Sequence, residues 1–202
     1  MEIDDGRLFS PSVARNREPI LQVLARVLPP RGLVLHVAEG SGEHVVHFAA
    51  SLPGLAFLPT DPDAPAVASI AAWIAQSGLG NVRAPALFDV RDAGCPAAAA
   101  DAVVCINMIH IAPPEATPAL IGHAARLLPA HGPLVLYGPF RRAGVATAAG
   151  NEEFDRSLKE RDPRWGLRWL EHVAAMAAEA GFSGPQVTEM PANNLCVVFR
   201  KG

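Results

Sequence analysis

The chain is poor in the features that mark several large function classes. Its three cysteines, Cys95, Cys105 and Cys196, form no close pair, which excludes a cysteine-based zinc motif and gives no disulfide framework. There is no excess of positive charge: 17 Lys and Arg stand against 20 Asp and Glu, a net charge of -3, so no long-range field draws nucleic-acid phosphates and nucleic acid is not expected as a partner. Long hydrophobic runs are also missing. The most apolar stretch, 97–112, is interrupted by Asp101 and Asn107 and is too short to span a bilayer, so no membrane association is expected. The start, Met1-Glu2-Ile3-Asp4-Asp5, is acidic where a secretory signal is basic, and a cytoplasmic protein is expected. His44 and His47 can share a helix face, but no third ligand lies near them in sequence, so no metal is expected. Low-complexity linkers and internal repeats are absent, and half of the residues are hydrophobic. One domain spanning 1–202 follows from that length and composition.

What is present is alternation. Apolar runs of strand length recur at 33–37, 55–59, 84–90, 102–109 and 133–137, and the stretches 43–51, 64–77 and 115–128 between them have the composition of helices. That order predicts an α/β fold of βα repeats on a largely parallel sheet with helices on both faces. Residues 12–28 read as a preceding helix stopped by Pro29-Pro30, its apolar face set to pack over the sheet edge, within an N-terminal helical segment 1–30. After the fifth strand the stretch 141–168 turns charged and carries Phe154 and Trp165, and helical patterning resumes at 169–180. Two short strands, 186–190 and 195–200, flank Pro191-Ala192-Asn193-Asn194, a turn composition that favours a C-terminal antiparallel hairpin.

The first strand runs into Ala38-Glu39-Gly40-Ser41-Gly42 and then a helix. Glycines there let a ligand approach the backbone, and the helix N–H groups can face it. A dinucleotide fingerprint needs a further glycine where Val45 stands, and a phosphate loop needs Gly-Lys-Ser/Thr, which is missing. The turn therefore suits a nucleoside ligand without a pyrophosphate, such as S-adenosylmethionine. Asp61 closes the second strand about twenty residues on, where a carboxylate takes both ribose hydroxyls. Asp89 closes the third, placed to accept from the adenine amino group while Val90 or Phe88 covers the ring. Asn107 and His110 lie at or just past the fourth strand's end, where a methyl group would be presented, and the Asn-Pro-Pro-aromatic arrangement of many nitrogen methyltransferases is absent. His110 is a candidate general base or a cap of the Pro113-Pro114 turn.

With these residues in place the chain resembles the methyltransferase-like 26 family, also catalogued as domain-of-unknown-function family 938. The resemblance runs through Arg15-Asn16-Arg17-Glu18-Pro19, Gly40-Ser41-Gly42-Glu43-His44, Asp61-Pro62-Asp63, Asn107-Met108-Ile109-His110-Ile111, Tyr137-Gly138-Pro139-Phe140, Asn151-Glu152-Glu153-Phe154-Asp155, Asp162-Pro163-Arg164-Trp165-Gly166-Leu167-Arg168 and Met190-Pro191-Ala192-Asn193-Asn194. It implies a Rossmann-like class I methyltransferase fold, a mostly parallel seven-stranded sheet with an S-adenosylmethionine site, and no particular acceptor. Two positions depart from the methyltransferase pattern: His36 where an acidic residue usually helps to hold the cofactor's ammonium, and Ala38 where a glycine often stands. Glu39, one step into the turn, is the expected replacement for the lost charge.

Cofactor contacts are thus expected from His36, Ala38, Glu39, Gly40, Gly42, Asp61, Asp89, Val90 and Asn107. His110 and Tyr137 are the candidates nearest the transferred methyl. Asn16, Arg17, Phe154, Asp155, Arg161, Trp165 and Arg168 are expected to wall a small-molecule acceptor pocket, with 141–168 capping it, and arginines there suit a carboxylate or phosphate. The competing expectation is a non-catalytic methyltransferase-fold scaffold, for which His36 is the best support. A homo-oligomer is left open.

Overall fold

A computed structural model describes residues 6–202. Helix α1 (Pro11–Val27) opens with proline in its first turn, where no donor is lost, and stops ahead of Pro29-Pro30. Strands β1 (Gly32–Val37), β2 (Leu55–Asp61), β4 (Ala102–Ile106) and β5 (Pro133–Gly138) are buried along almost their whole length, as strands covered on both faces must be. Helices α2 (Glu43–Ser51), α3 (Ala64–Ser77) and α4 (Ala116–Leu127) make the crossovers. β3 is only Ala86–Leu87, and the chain continues through α5 (Ala149–Arg161), α6 (Leu170–Glu179), β6 (Phe182–Met190) and β7 (Asn194–Lys201).

The seven strands order as β3-β2-β1-β4-β5-β7-β6, parallel except that β7 runs antiparallel to both β5 and β6. Alternation along β1 splits the core. Leu35 and Val37 face a layer with Leu120, Ile121 and Val173 of α4 and α6, while Val34 faces one with Ile20, Leu24, Phe48 and Ile70 of α1, α2 and α3. Helices therefore cover both faces, and the reversal of strand order at β1/β4 opens a crevice at the carboxyl edge.

The sixth strand starts four residues earlier than expected, at Phe182, and four further features depart from the expectations. The third strand pairs over two residues: Pro85 lacks a donor ahead of it, and the Phe88 N–H on the Asp61 carbonyl is the last rung of its ladder to β2. The fourth ends at Ile106, because Asn107 takes a left-handed φ of 63° and Met108–His110 coil into a 3-10 turn. Helix α1 lies over the face of the sheet, sharing its layer with Val104, Val135 and Val198, and not over the edge. The charged stretch after β5 contains the regular helix α5, whose polar outer face hid its period.

Candidate functional site

Two cavities open at the carboxyl edge. The first, about 490 Å³, is lined by Ala38 and Gly40 after β1, by Asp61 at the end of β2, by Phe88, Asp89 and Val90 after β3, and by Met108, Ile111 and Trp165. Ala38 has a φ of 52° and Gly40 of 78°, so the turn winds left-handed. A Cβ built on Gly40 meets nothing within 4 Å, whereas one on Gly42 would lie 2.8 Å from Trp73 and 2.9 Å from the Ile70 backbone. Gly40 thus keeps space clear on the cavity side, and Gly42 lets α3 close on the turn.

The acidic groups divide. Asp61 accepts the Gly40 N–H at 2.9 Å and the Asp63 N–H at 3.0 Å, and each oxygen retains a lone pair for a ligand hydroxyl. Burial raises its carboxyl above the usual value. Asp89 accepts from Arg91 through its backbone N–H and its guanidinium, which holds it below the usual range. Glu39 is buried and turns away from the cavity, accepting the Gly42 and Val45 N–H groups at 2.5 and 2.8 Å. It caps the start of α2, where a carboxylate meets the positive end of the helix, although burial pushes its carboxyl up to about 8.

His36 is also placed apart from the cavity. Its ring is 1% exposed, 6.0 Å from the Phe48 ring and 6.4 Å from that of His44, and neither nitrogen has a hydrogen-bond partner. Burial, with His44 beside it, holds its pKa down at about 3. Position 36 alternates with Val37 on the strand, and only Val37 faces the cavity.

The second cavity, about 660 Å³, shares Ile111 with the first. Arg15, Asn16, Asn107, Tyr137, Phe154 and Arg161 line it, with the hairpin turn 191–194 closing one side. Asn107 therefore lines this cavity and not the first. The Asn16 carbonyl oxygen accepts from His44 Nε2 at 2.8 Å, and its amide hydrogen-bonds the Tyr137 phenol. Burial raises the phenol's pKa, so Tyr137 stays protonated at neutral pH.

Four other candidates are not brought to either cavity. Arg17 is exposed on the outer side of α1, in a shallow groove with Glu43 and His47, because it follows Asn16 by 100° around the helix. His110, Asp155 and Arg168 instead tie the stretch 162–168 to the turn after β4 and to α5. His110 is fully buried, accepts the Arg168 N–H on Nδ1 at 3.2 Å, and has its pKa lowered by burial to about 3. Its ring packs so close to β5 that a Cβ on Gly138 would lie 2.5 Å from Nε2. The Arg168 guanidinium donates to the Ile109, Ala112 and Arg164 carbonyls, and Asp155 holds the Leu167 N–H, Arg141 and Lys159. These contacts seat 162–168 on the turn after β4 and carry Trp165 to the first cavity.

Three contributors carried no signal in the sequence. Glu43 accepts from the Ser10 N–H and the Ser41 hydroxyl, and Ser69 links the Leu8 N–H to the Ser41 carbonyl, so the segment before α1 is fastened to the glycine turn. Arg91 became visible only as the partner of Asp89. His44 is hydrogen-bonded to Asn16, His47 Nε2 lies 3.3 Å from the Glu18 carboxylate, and no group of three or more His, Cys, Asp or Glu is arranged to hold a metal among the described residues.

Residues 7–201 match the family model described as a protein of unknown function, DUF938. The chain belongs to the DUF938 family. A curated relative, a tRNA (guanine-N(7)-)-methyltransferase of Jannaschia sp. (strain CCS1), is 30% identical over 147 residues, covering 70% of this chain and 58% of its own length. An O-methyltransferase family protein from Burkholderia thailandensis superposes with a TM-score of 0.80 at 19% identity, over 95% of this chain and 57% of that one. Human N-acetylserotonin methyltransferase, solved with S-adenosylmethionine, gives 0.73 at 17% identity, over 95% and 53%. This DUF938 chain thus has the Rossmann-like class I methyltransferase fold and spans little more than half the length of these proteins. Among its described residues, no helix is long and apolar enough to cross a membrane.

Proposed function

We propose that the chain is an S-adenosylmethionine-dependent methyltransferase for a small-molecule acceptor, built as one domain with 141–168 as the cap of its acceptor cavity. The observation that carries this is the pair of cavities meeting at Ile111, one with the turn and carboxylates for an adenosyl group, the other with Tyr137 and Asn107 at its wall. The first cavity fits that cofactor: Gly40 leaves clear space, Asp61 has acceptor capacity for ribose hydroxyls, and Phe88 and Val90 provide an apolar surface, while Asp89, whose two oxygens are taken up by Arg91, accepts from the adenine amino group only if that pair opens. Bound there, S-adenosylmethionine supplies a methyl group activated by a sulfonium for in-line displacement.

The protein's part is orientation and exclusion of water. Trp165 and Ile111 wall the junction, and the protonated Tyr137 phenol, oriented by Asn16, can donate to the acceptor. His110 serves as a positioning residue, since both its burial and its bond from Arg168 keep it from acting as a base. The scaffold alternative loses its main support, because His36 is neutral and faces away from the cavity. The printed activity of the Jannaschia relative makes tRNA the second acceptor class to test, although the net charge of -3 argues against it. Within DUF938 we place the chain in the methyltransferase-like 26 group, on the motifs given above, and in the cytoplasm. The direct test is transfer of labelled methyl from S-adenosylmethionine into a metabolite extract and into tRNA: label in a small molecule supports the proposal, label in tRNA alone overturns the acceptor class, and none in either overturns the activity.

A further inference from the structure

The second cavity has an unusual charge balance. No Asp or Glu lines it, and its two charged residues are Arg15 and Arg161, neither of which forms an ion pair among the described residues. Nearby arginines are occupied: Arg141 with Glu152 and Asp155, Arg142 with Glu189, Arg164 with Asp162, and Arg168 with three carbonyls. Arg161 lies 4.8 Å over the Trp165 ring. Stacking occupies the face of a guanidinium and leaves its coplanar N–H donors at the edge, an arrangement that matches two oxygens in a plane. Trp165 lines the first cavity and Arg161 the second, so this stack forms part of the partition between them. Gly150 and Asn151, in the first turn of the 13-residue helix α5, line the far end of the second cavity, about 16 Å along the helix from Arg161. Ile111, Pro139, Phe154 and Pro191 make the remaining walls mainly apolar.

We propose that the acceptor is an apolar or aromatic carboxylic acid whose carboxylate is held by Arg161 and Arg15, with its hydrocarbon body against Phe154 and Pro139. This rests on the methyltransferase assignment of the neighbouring cavity. Beside mainly apolar walls a carboxylate monoanion gives up less hydration than a phosphate dianion, which favours the carboxylate.

The test uses calorimetry on the full chain. S-adenosylhomocysteine is titrated first, and 4-hydroxyphenylacetate, its neutral amide and phenyl phosphate are then titrated with and without it. The acid should bind at least tenfold tighter than the amide. Arg161→Gln should bring the two within about twofold, Arg161→Lys should keep part of the preference, and Arg156→Gln, exposed and outside the cavity, should leave it intact, with thermal melts confirming that each variant is folded. Equal binding of acid and amide by the wild type overturns the proposal, as does a preference that survives both Arg161→Gln and Arg15→Gln. Phenyl phosphate binding tighter than the acid overturns the carboxylate assignment. S-adenosylhomocysteine binding without acid preference sinks the acid assignment alone, and acid preference without S-adenosylhomocysteine binding sinks the methyltransferase assignment alone.

Discussion

Replacing His36 with leucine should stabilise the protein and flatten its response to acid. The wild-type ring is 1% exposed, with both nitrogens lacking partners, and an unsatisfied buried polar group costs about 1–3 kcal/mol. Leucine has nearly the same volume and no polar atom, so a gain of about 1–2 kcal/mol is expected at pH 7.5. The acid effect follows from linkage. In the folded chain the ring's pKa is held at about 3 against the ordinary 6.5, so between those values the unfolded chain binds a proton that the folded one does not. Stability is therefore full above pH 6.5 and lost as pH falls, by a ceiling of roughly 4–5 kcal/mol for one such group. Urea unfolding followed by circular dichroism at pH 7.5, 6.0 and 5.0 would measure both effects. His36→Leu should unfold at higher urea throughout, and the gap from wild type should widen toward pH 5.0. A less stable variant, or a gap constant with pH, would refute the reasoning.

The other predictions concern the turn and the cap. Gly42→Ala should cost about 3 kcal/mol in urea melts, because a Cβ at φ 105° meets Trp73 and Ile70, whereas Gly40→Ala should cost only about 1 kcal/mol and weaken S-adenosylhomocysteine binding through the volume it occupies. Glu39→Gln should flatten the limb between about pH 4.5 and 8: with the folded carboxyl raised to about 8, the folded chain holds a proton that the unfolded one releases, so wild-type stability declines as pH rises through that window. Asp155→Ala leaves the Leu167 N–H without its acceptor and Lys159 without its partner, while Arg141 keeps Glu152, and should cost about 2 kcal/mol, with faster hydrogen exchange across 162–168.

The fold was legible because every parallel strand had to be apolar on both faces, which left β1, β2, β4 and β5 visible as short runs between helical stretches. The glycine turn was equally plain, and Gly40, Asp61, Asp89 and Val90 do line one cavity. Side-chain direction was not. His36 and Glu39 differ from a cofactor-facing residue by one step of alternation or one turn of loop, and only the left-handed path through Ala38 and Gly40 decides that Glu39 faces α2. In the charged stretch, composition marked Arg161 and Arg168 alike, but one lines a cavity and the other binds carbonyls within the cap. Two of those carbonyls, of Ile109 and Ala112, lie 59 and 56 residues away, beyond the reach of local pattern.

The central claim, that the cavity beside the glycine turn holds S-adenosylmethionine, is most directly tested by calorimetric titration of S-adenosylhomocysteine into the wild type and Asp61→Ala. Asp61 is the lining carboxylate that both fixes Gly40 and retains acceptor capacity. The account predicts one site per chain in the wild type and at least a tenfold weaker one in Asp61→Ala; no binding by the folded wild type, or equal binding by both, would contradict it.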